Sequence, residues 1–73
     1  MEIRQLRYFL SVAENRSFVS AATRLYISRQ AVSKAISQLE TELGVELFVR
    51  DPSGAFLTPT GVLFYERARS IIM

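Results

Sequence analysis

Arg29, Gln30, Ser33, Lys34 and Ser37 are five hydrogen-bonding side chains, and a helical step of about 100° per residue gathers them into an arc of roughly 140°. Their chemistry suits the edges of DNA bases. Arginine can grip guanine and glutamine can grip adenine through paired hydrogen bonds, while serine and lysine suit shorter base contacts or phosphate. From Arg16 to Lys34 the charged residues are Arg16, Arg24, Arg29 and Lys34, and no acid appears before Glu40. The competing account is the ordinary outside of an amphipathic helix. Such a face usually carries glutamate and lysine four residues apart, and this one does not.

Phosphate chemistry is expected beside these five. Ser17 and Ser28 each precede an apolar-periodic run, so both read as N-caps, and the exposed amides of the helix starts they cap are natural anion ligands. Capping needs no DNA to justify it, and the two roles are compatible. Arg24 adds a cation between the two serines. Arg50 is expected at a phosphate or, equally, as an edge-strand residue kept for solubility. Ser53, with nearby backbone amides, is the expected contact from a turn whose Asp51 would repel phosphate.

Those side chains need a frame, and the apolar spacing supplies one. Leu6, Phe9, Leu10 and Ala13 predict a first amphipathic helix from about Ile3 to Glu14, ended by Asn15 and Arg16. Ser17 caps a second, whose buried stripe is Phe18, Ala21, Ala22 and Leu25, the paired alanines permitting close helix approach. Tyr26 and Ile27 form the turn. Ser28 caps a third helix with Ala31, Val32, Ala35, Ile36, Leu39 and Leu43 opposite the polar face, and Gly44 stops it. Val45 to Arg50 and Ala55-Phe56-Leu57 then read as two strands around Asp51-Pro52-Ser53-Gly54, a wing. Thr58 and Pro59 open a fourth helix, with no breaker from Val62 to Met73. The fold class is mainly α: a winged helix-turn-helix with a three-helix core, a two-stranded wing and the start of a C-terminal helix.

In that last helix Phe64, Tyr65, Ala68, Ile71 and Ile72 share an arc of roughly 120°, and Val62 and Leu63 lie outside it. Apolar surface exceeds a single stripe. Part can pack on its own domain and part on another chain, with Val62, Leu63, Tyr65 and Ile72 as the dimerisation candidates. The alternative is that the wing or the first helix covers all of them.

Composition narrows the function classes. At 73 residues there is room for one domain, and its apolar residues recur at helical intervals instead of forming a continuous span. Cysteine and histidine are both absent, which removes disulfides, thiolate and imidazole metal sites and the commonest general base. No glycine-rich phosphate loop or spaced carboxylate pair is present, since Glu40, Glu42 and Glu46 fall at a helix end, where solvation is their expected role. Neither an enzyme nor a metal or cofactor is expected. The start Met-Glu-Ile-Arg-Gln-Leu lacks the apolar core of a secretory signal, so a cytoplasmic location with no membrane association is expected.

Leu6-Arg7-Tyr8-Phe9, Ser17-Phe18 with Ala21-Ala22 and Leu25, Ser28 with Ala31-Val32-Ser33, Ile36, Leu39-Glu40, Leu43-Gly44, Leu47-Phe48, Arg50, and Leu57-Thr58-Pro59 with Gly61 form an ordered set across essentially the whole chain. In that set the sequence resembles the N-terminal domain of LysR-type transcriptional regulators. The resemblance implies a winged helix-turn-helix over residues 1–58 and the start of a linker and dimerisation helix over residues 59–73. It also implies a bacterial, cytoplasmic regulator that binds double-stranded DNA as a homodimer, or a tetramer built from dimers, at an inverted repeat. A small-molecule effector would bind a C-terminal domain beyond this chain, which would end inside the linker. Many members carry Gln-Pro where Arg29-Gln30 stand here, so different bases are implied. The basic residue common near the wing tip is replaced by Asp51-Pro52-Ser53-Gly54-Ala55, which implies a weak wing contact. A winged helix that binds another protein is the alternative of a different class, and an acidic or apolar third helix would favour it.

Overall fold

The computed structural model describes residues 1–72. Helix α1 (Ile3–Asn15) opens where buried Gln5 turns its amide oxygen back to accept the Glu2 N–H at 2.9 Å, and it closes at Arg16 in the left-handed region, φ 54°. Helix α2 (Phe18–Leu25) starts at Ser17, whose Oγ accepts the Ser20 N–H at 3.0 Å, and stops at left-handed Tyr26. Helix α3 (Arg29–Leu43) is capped by Ser28 Oγ accepting the Ala31 N–H at 3.0 Å and ends at Gly44, φ 72°. All three breaks fall where cap chemistry puts them. Ala21 and Ala22 are buried, and their small side chains let α2 lie close against its neighbours.

Strands β1 (Phe48–Asp51) and β2 (Gly54–Leu57) pair antiparallel with Phe48 opposite Leu57 and Asp51 opposite Gly54, leaving Pro52 and Ser53 as the turn. The first strand is therefore shorter than the Val45 to Arg50 expected. Its approach is held by other partners. Glu40 Oε2 accepts the N–H groups of Leu47 at 2.7 Å and Phe48 at 3.3 Å, while the Leu47 carbonyl accepts the Thr58 N–H at 3.0 Å. This corrects the solvation role assigned to Glu40: its carboxylate ties the end of α3 to the base of the wing. Glu42 pairs with the Met1 amino group at 2.7 Å, and of the three acids Glu46 alone has an exposed side chain with no partner among the described residues. Glu40→Ala would strand two amides, one on fully buried Leu47, and is expected to cost about 1–3 kcal/mol. Thermal denaturation should then show the melting temperature falling by roughly 4–8 °C per kcal/mol, with Glu46→Ala within about 0.5 kcal/mol of the parent.

Helix α4 (Pro59–Ile72) begins with Thr58 Oγ1 accepting the Gly61 N–H at 2.9 Å. A Cβ on Gly61 would collide with the Leu47 carbonyl oxygen, so only glycine lets α4 cross the entry to β1 this closely. The helix then lies along α1 and reaches Ile72; Met73, to which the sequence extends it, lies outside the described residues. Phe9, Val12, Val32, Ile36, Leu39 and Leu47 are fully buried. Around Phe9 the aromatic rings run in a chain, Phe64 at 5.1 Å, Phe48 at 5.3 Å, and Phe18 a further 5.7 Å from Phe48. This chain joins α4, α1, β1 and α2 around one centre. Ala31 departs from the helical-wheel expectation: it is exposed, because the first turn of α3 overhangs the core that begins at Val32.

Candidate nucleic-acid interface

The overhang defines the site. Arg29, Gln30, Lys34 and Ser37 are exposed on the first turns of α3, with Ser33 half-buried among them. By helical step Gln30 and Ser37 form the crest, Arg29 and Ser33 slope toward the wing, and Lys34 slopes toward α1. On the wing side an open cleft of about 490 Å³ is bounded by Ser17, Arg29, Ser33, Arg50 and the turn from Asp51 to Gly54. On the α1 side a second cleft of about 280 Å³ gathers Arg4, Tyr8, Lys34 and Gln38. Each slope thus carries two cations, and the crest between them is uncharged.

Ser17 and Ser28 act as caps, each oxygen accepting an amide while its own hydroxyl proton stays available to donate. At the start of α2 the Ser17 hydroxyl proton is joined by the amides of Phe18 and Val19, which precede the first intrahelical bond at Ala21. Val19 lines the wing-side cleft, which places that helix start at its edge. Arg50 does not stand free. Its guanidinium lies 3.9 Å above the Phe18 ring and donates from Nη1 to Ser33 Oγ at 3.1 Å. Ser53 donates both its N–H, at 2.8 Å, and its hydroxyl, at 2.5 Å, to Asp51 Oδ1. Those bonds, the hydroxyl's above all, hold the Asp51 carboxyl below its usual range. Both Ser53 donors are therefore occupied on this surface, and the turn presents a fixed negative charge.

Residues 3–62 match the family model described as "Bacterial regulatory helix-turn-helix protein, lysR family". The chain belongs to the LysR family. It is 47% identical to the HTH-type transcriptional regulator ClcR of Pseudomonas putida over 72 residues, 99% of this chain and 24% of that protein. Among solved structures it resembles a CbnR_DBD–DNA complex, with TM-score 0.96 and 43% identity over 99% of this chain and 83% of the other. It also resembles the complex of BenM_DBD with benA site 1 DNA, with TM-score 0.94 and 42% identity over 99% and 84%, respectively. BenM from Acinetobacter baylyi is again a protein of which this chain spans 24%. The chain is accordingly a LysR-family winged helix-turn-helix spanning about a quarter of the length of these curated relatives. Its relatives are transcriptional regulators, a non-enzymatic class.

In this LysR-family domain not every expected residue reaches the α3 face. Arg24 sits in the last turn of α2, where a cation favours the helix dipole, and lines a separate cleft with Arg7, Glu14, Asn15 and Ile72. Arg16 opens onto another, beside Glu14, Phe56 and Tyr65. The basic stretch from Arg16 to Lys34 is thus divided by the fold. Arg4, Tyr8 and Gln38 were missed from the sequence, where an arginine and a tyrosine in the first helix carry no signal of which neighbour they meet. On α4, Val62 and Leu63 are exposed at 45% and 66%. Tyr65 and Ile72 are half-buried against the core, and the Tyr65 hydroxyl donates to Glu14 at 3.2 Å. Phe64, Ala68 and Ile72 follow one another at four-residue steps along α1, so the neighbouring row of Leu63, Arg67 and Ile71 faces outward, with Ile71 66% exposed. Among the described residues no helix is long and apolar enough to cross a membrane.

Proposed function

We propose that this domain reads a specific sequence by laying the first turns of α3 in the major groove of double-stranded DNA. The observation that carries it is the crest of α3, polar and free of acid, with a cation-bearing cleft on each side. Arg29, Gln30, Ser33 and Ser37 meet base edges, and Lys34 reaches a base or the phosphate beside Arg4. The helix starts behind Ser17 and Ser28 hold further phosphates through their amides. Relatives solved as DNA complexes support DNA as the ligand of this domain. Arg24, exposed at the end of α2, reaches phosphate away from the α3 crest, and Ser53 does so only by giving up its bonds to Asp51.

Two copies join through the exposed row of α4, Val62 and Leu63 together with Ile71, so that residues 59–73 serve as the start of a linker helix beyond the winged unit of residues 1–58. Two α3 helices then stand about one turn of DNA apart and read an inverted repeat. In the whole regulator, dimers assemble further into tetramers, and a C-terminal domain takes a small-molecule effector. The cytoplasm is its place of work, with neither metal nor cofactor needed for binding.

Selection of bound sequences from random DNA tests the proposal, followed by titration of the selected site. Arg29→Ala or Gln30→Ala should cost about 1–3 kcal/mol on that site and flatten the preference at one or two positions. Equal losses on selected and random DNA would show that α3 does not read bases.

A further inference from the structure

Among the described residues Ser33 is the one helical hydroxyl whose oxygen accepts from a guanidinium. A helical serine or threonine commonly donates its hydroxyl to the carbonyl four residues back, and Thr23 does so to Val19 at 3.1 Å. The Ser33 oxygen instead accepts a hydrogen bond from a guanidinium, Arg50 Nη1 at 3.1 Å, and among the described residues its own proton has no protein acceptor. Arg50 is itself fixed. Its guanidinium is stacked on Phe18, which packs edge-on against Phe48, so the donor rests on the aromatic chain that centres the core.

A free serine hydroxyl reads either kind of base edge, because it can donate or accept. One lone pair given to a cationic donor changes that balance. The hydroxyl is polarised toward donating, and a base amino group seeking the second lone pair would approach a guanidinium charge. We infer that Arg50 is a positioning residue that turns Ser33 into a hydrogen-bond donor toward the groove, so that this position prefers guanine or thymine over cytosine. The inference rests on the proposed seating of α3 in the major groove. Guanine N7 and O6 and thymine O4 accept there, whereas cytosine presents its N4 amino group. Arg50 is thereby a residue of specificity without touching a base, in place of the phosphate or solubility roles its strand position suggests.

Selection from random DNA by the unmodified chain, Ser33→Ala and Arg50→Met decides it. The position flattened by Ser33→Ala is the one Ser33 reads. Arg50→Met, which keeps an apolar stem over Phe18, should lower the preference for guanine or thymine at that position by roughly two- to tenfold, one hydrogen bond's worth. The other positions and the salt dependence on the selected site should be unchanged, and adding Arg50→Met to Ser33→Ala should cause no further loss of preference. Melting temperatures measured alongside confirm that each variant is folded. A uniform loss of affinity with every preference intact, and a salt slope smaller by about one, would make Arg50 a plain phosphate contact and overturn the inference alone. Failure of the unmodified chain to enrich any sequence would remove the groove placement itself, and the inference with it.

Discussion

Phe9→Ala is expected to leave the domain largely unfolded at room temperature. Phe9 is fully buried, with Phe64 and Phe48 rings 5.1 and 5.3 Å from its own, and truncation of a core phenylalanine costs about 3–5 kcal/mol. A single small core rarely supplies more than about that much in total. Stability and substitution cost therefore nearly cancel. Circular dichroism should show the cooperative melt of the parent replaced by a shallow one, and DNA binding should fail for every sequence alike. Phe9→Leu, which keeps most of the volume, should retain a cooperative transition. A Phe9→Ala chain melting within a few degrees of the parent would mean that the aromatic chain is not the structural centre.

That centre explains what was legible from the amino-acid order and what was not. Helix ends follow from local chemistry, a serine oxygen within reach of an amide three residues on or a glycine with positive φ, so Ser17, Ser28 and Gly44 mark the boundaries before any tertiary contact is known. The polar crest of α3 was equally legible, because helical periodicity alone places Gln30 and Ser37 opposite Val32 and Ile36. Meetings between elements were not. Glu40 looks like one more acid at a helix end until the chain beyond Gly44 folds back and presents two amides to it. Arg50 looks like a strand-edge cation until α2 brings Phe18 beneath it and α3 brings Ser33 beside it. The helical wheel of α4 shows that apolar residues cover too much of the circumference. It cannot say which row α1 takes, and in the structure Tyr65 and Ile72 pack against the core while Ile71 is exposed.

The division of the basic stretch has its own consequence for binding. With Arg16 and Arg24 turned to other clefts and Arg50 bound to Ser33, the cations left beside the α3 crest are Arg29 on one slope and Lys34 and Arg4 on the other. Arg4 reaches Glu2 at 3.1 Å, but both are exposed, and such a surface pair yields easily to a phosphate. The two slopes are unequal, because Asp51, kept ionised by Ser53, lines the wing-side cleft, whereas no acid lines the α1-side cleft and the nearby Glu2 is paired with Arg4.

On a selected inverted repeat, raising salt from 50 to 200 mM is expected to weaken binding by roughly a thousandfold. Three cations on each of two chains, releasing counterions at about 0.9 per phosphate, give a logarithmic slope of about −5. The slope also counts chains. One domain acting alone should show about −3 on the same DNA, so Leu63→Glu, which places a charge in the exposed α4 row, should move the value from the first toward the second while leaving the fold intact. Arg4→Ala should reduce the slope on random and selected DNA equally, because its cleft lies off the crest and reads no base. Affinity independent of salt would exclude electrostatic seating of α3 altogether. A slope near −5 that Leu63→Glu did not alter would retain that seating and remove α4 from the dimer. The two halves of the proposal, how the domain grips DNA and how a second copy joins it, thus separate in one titration.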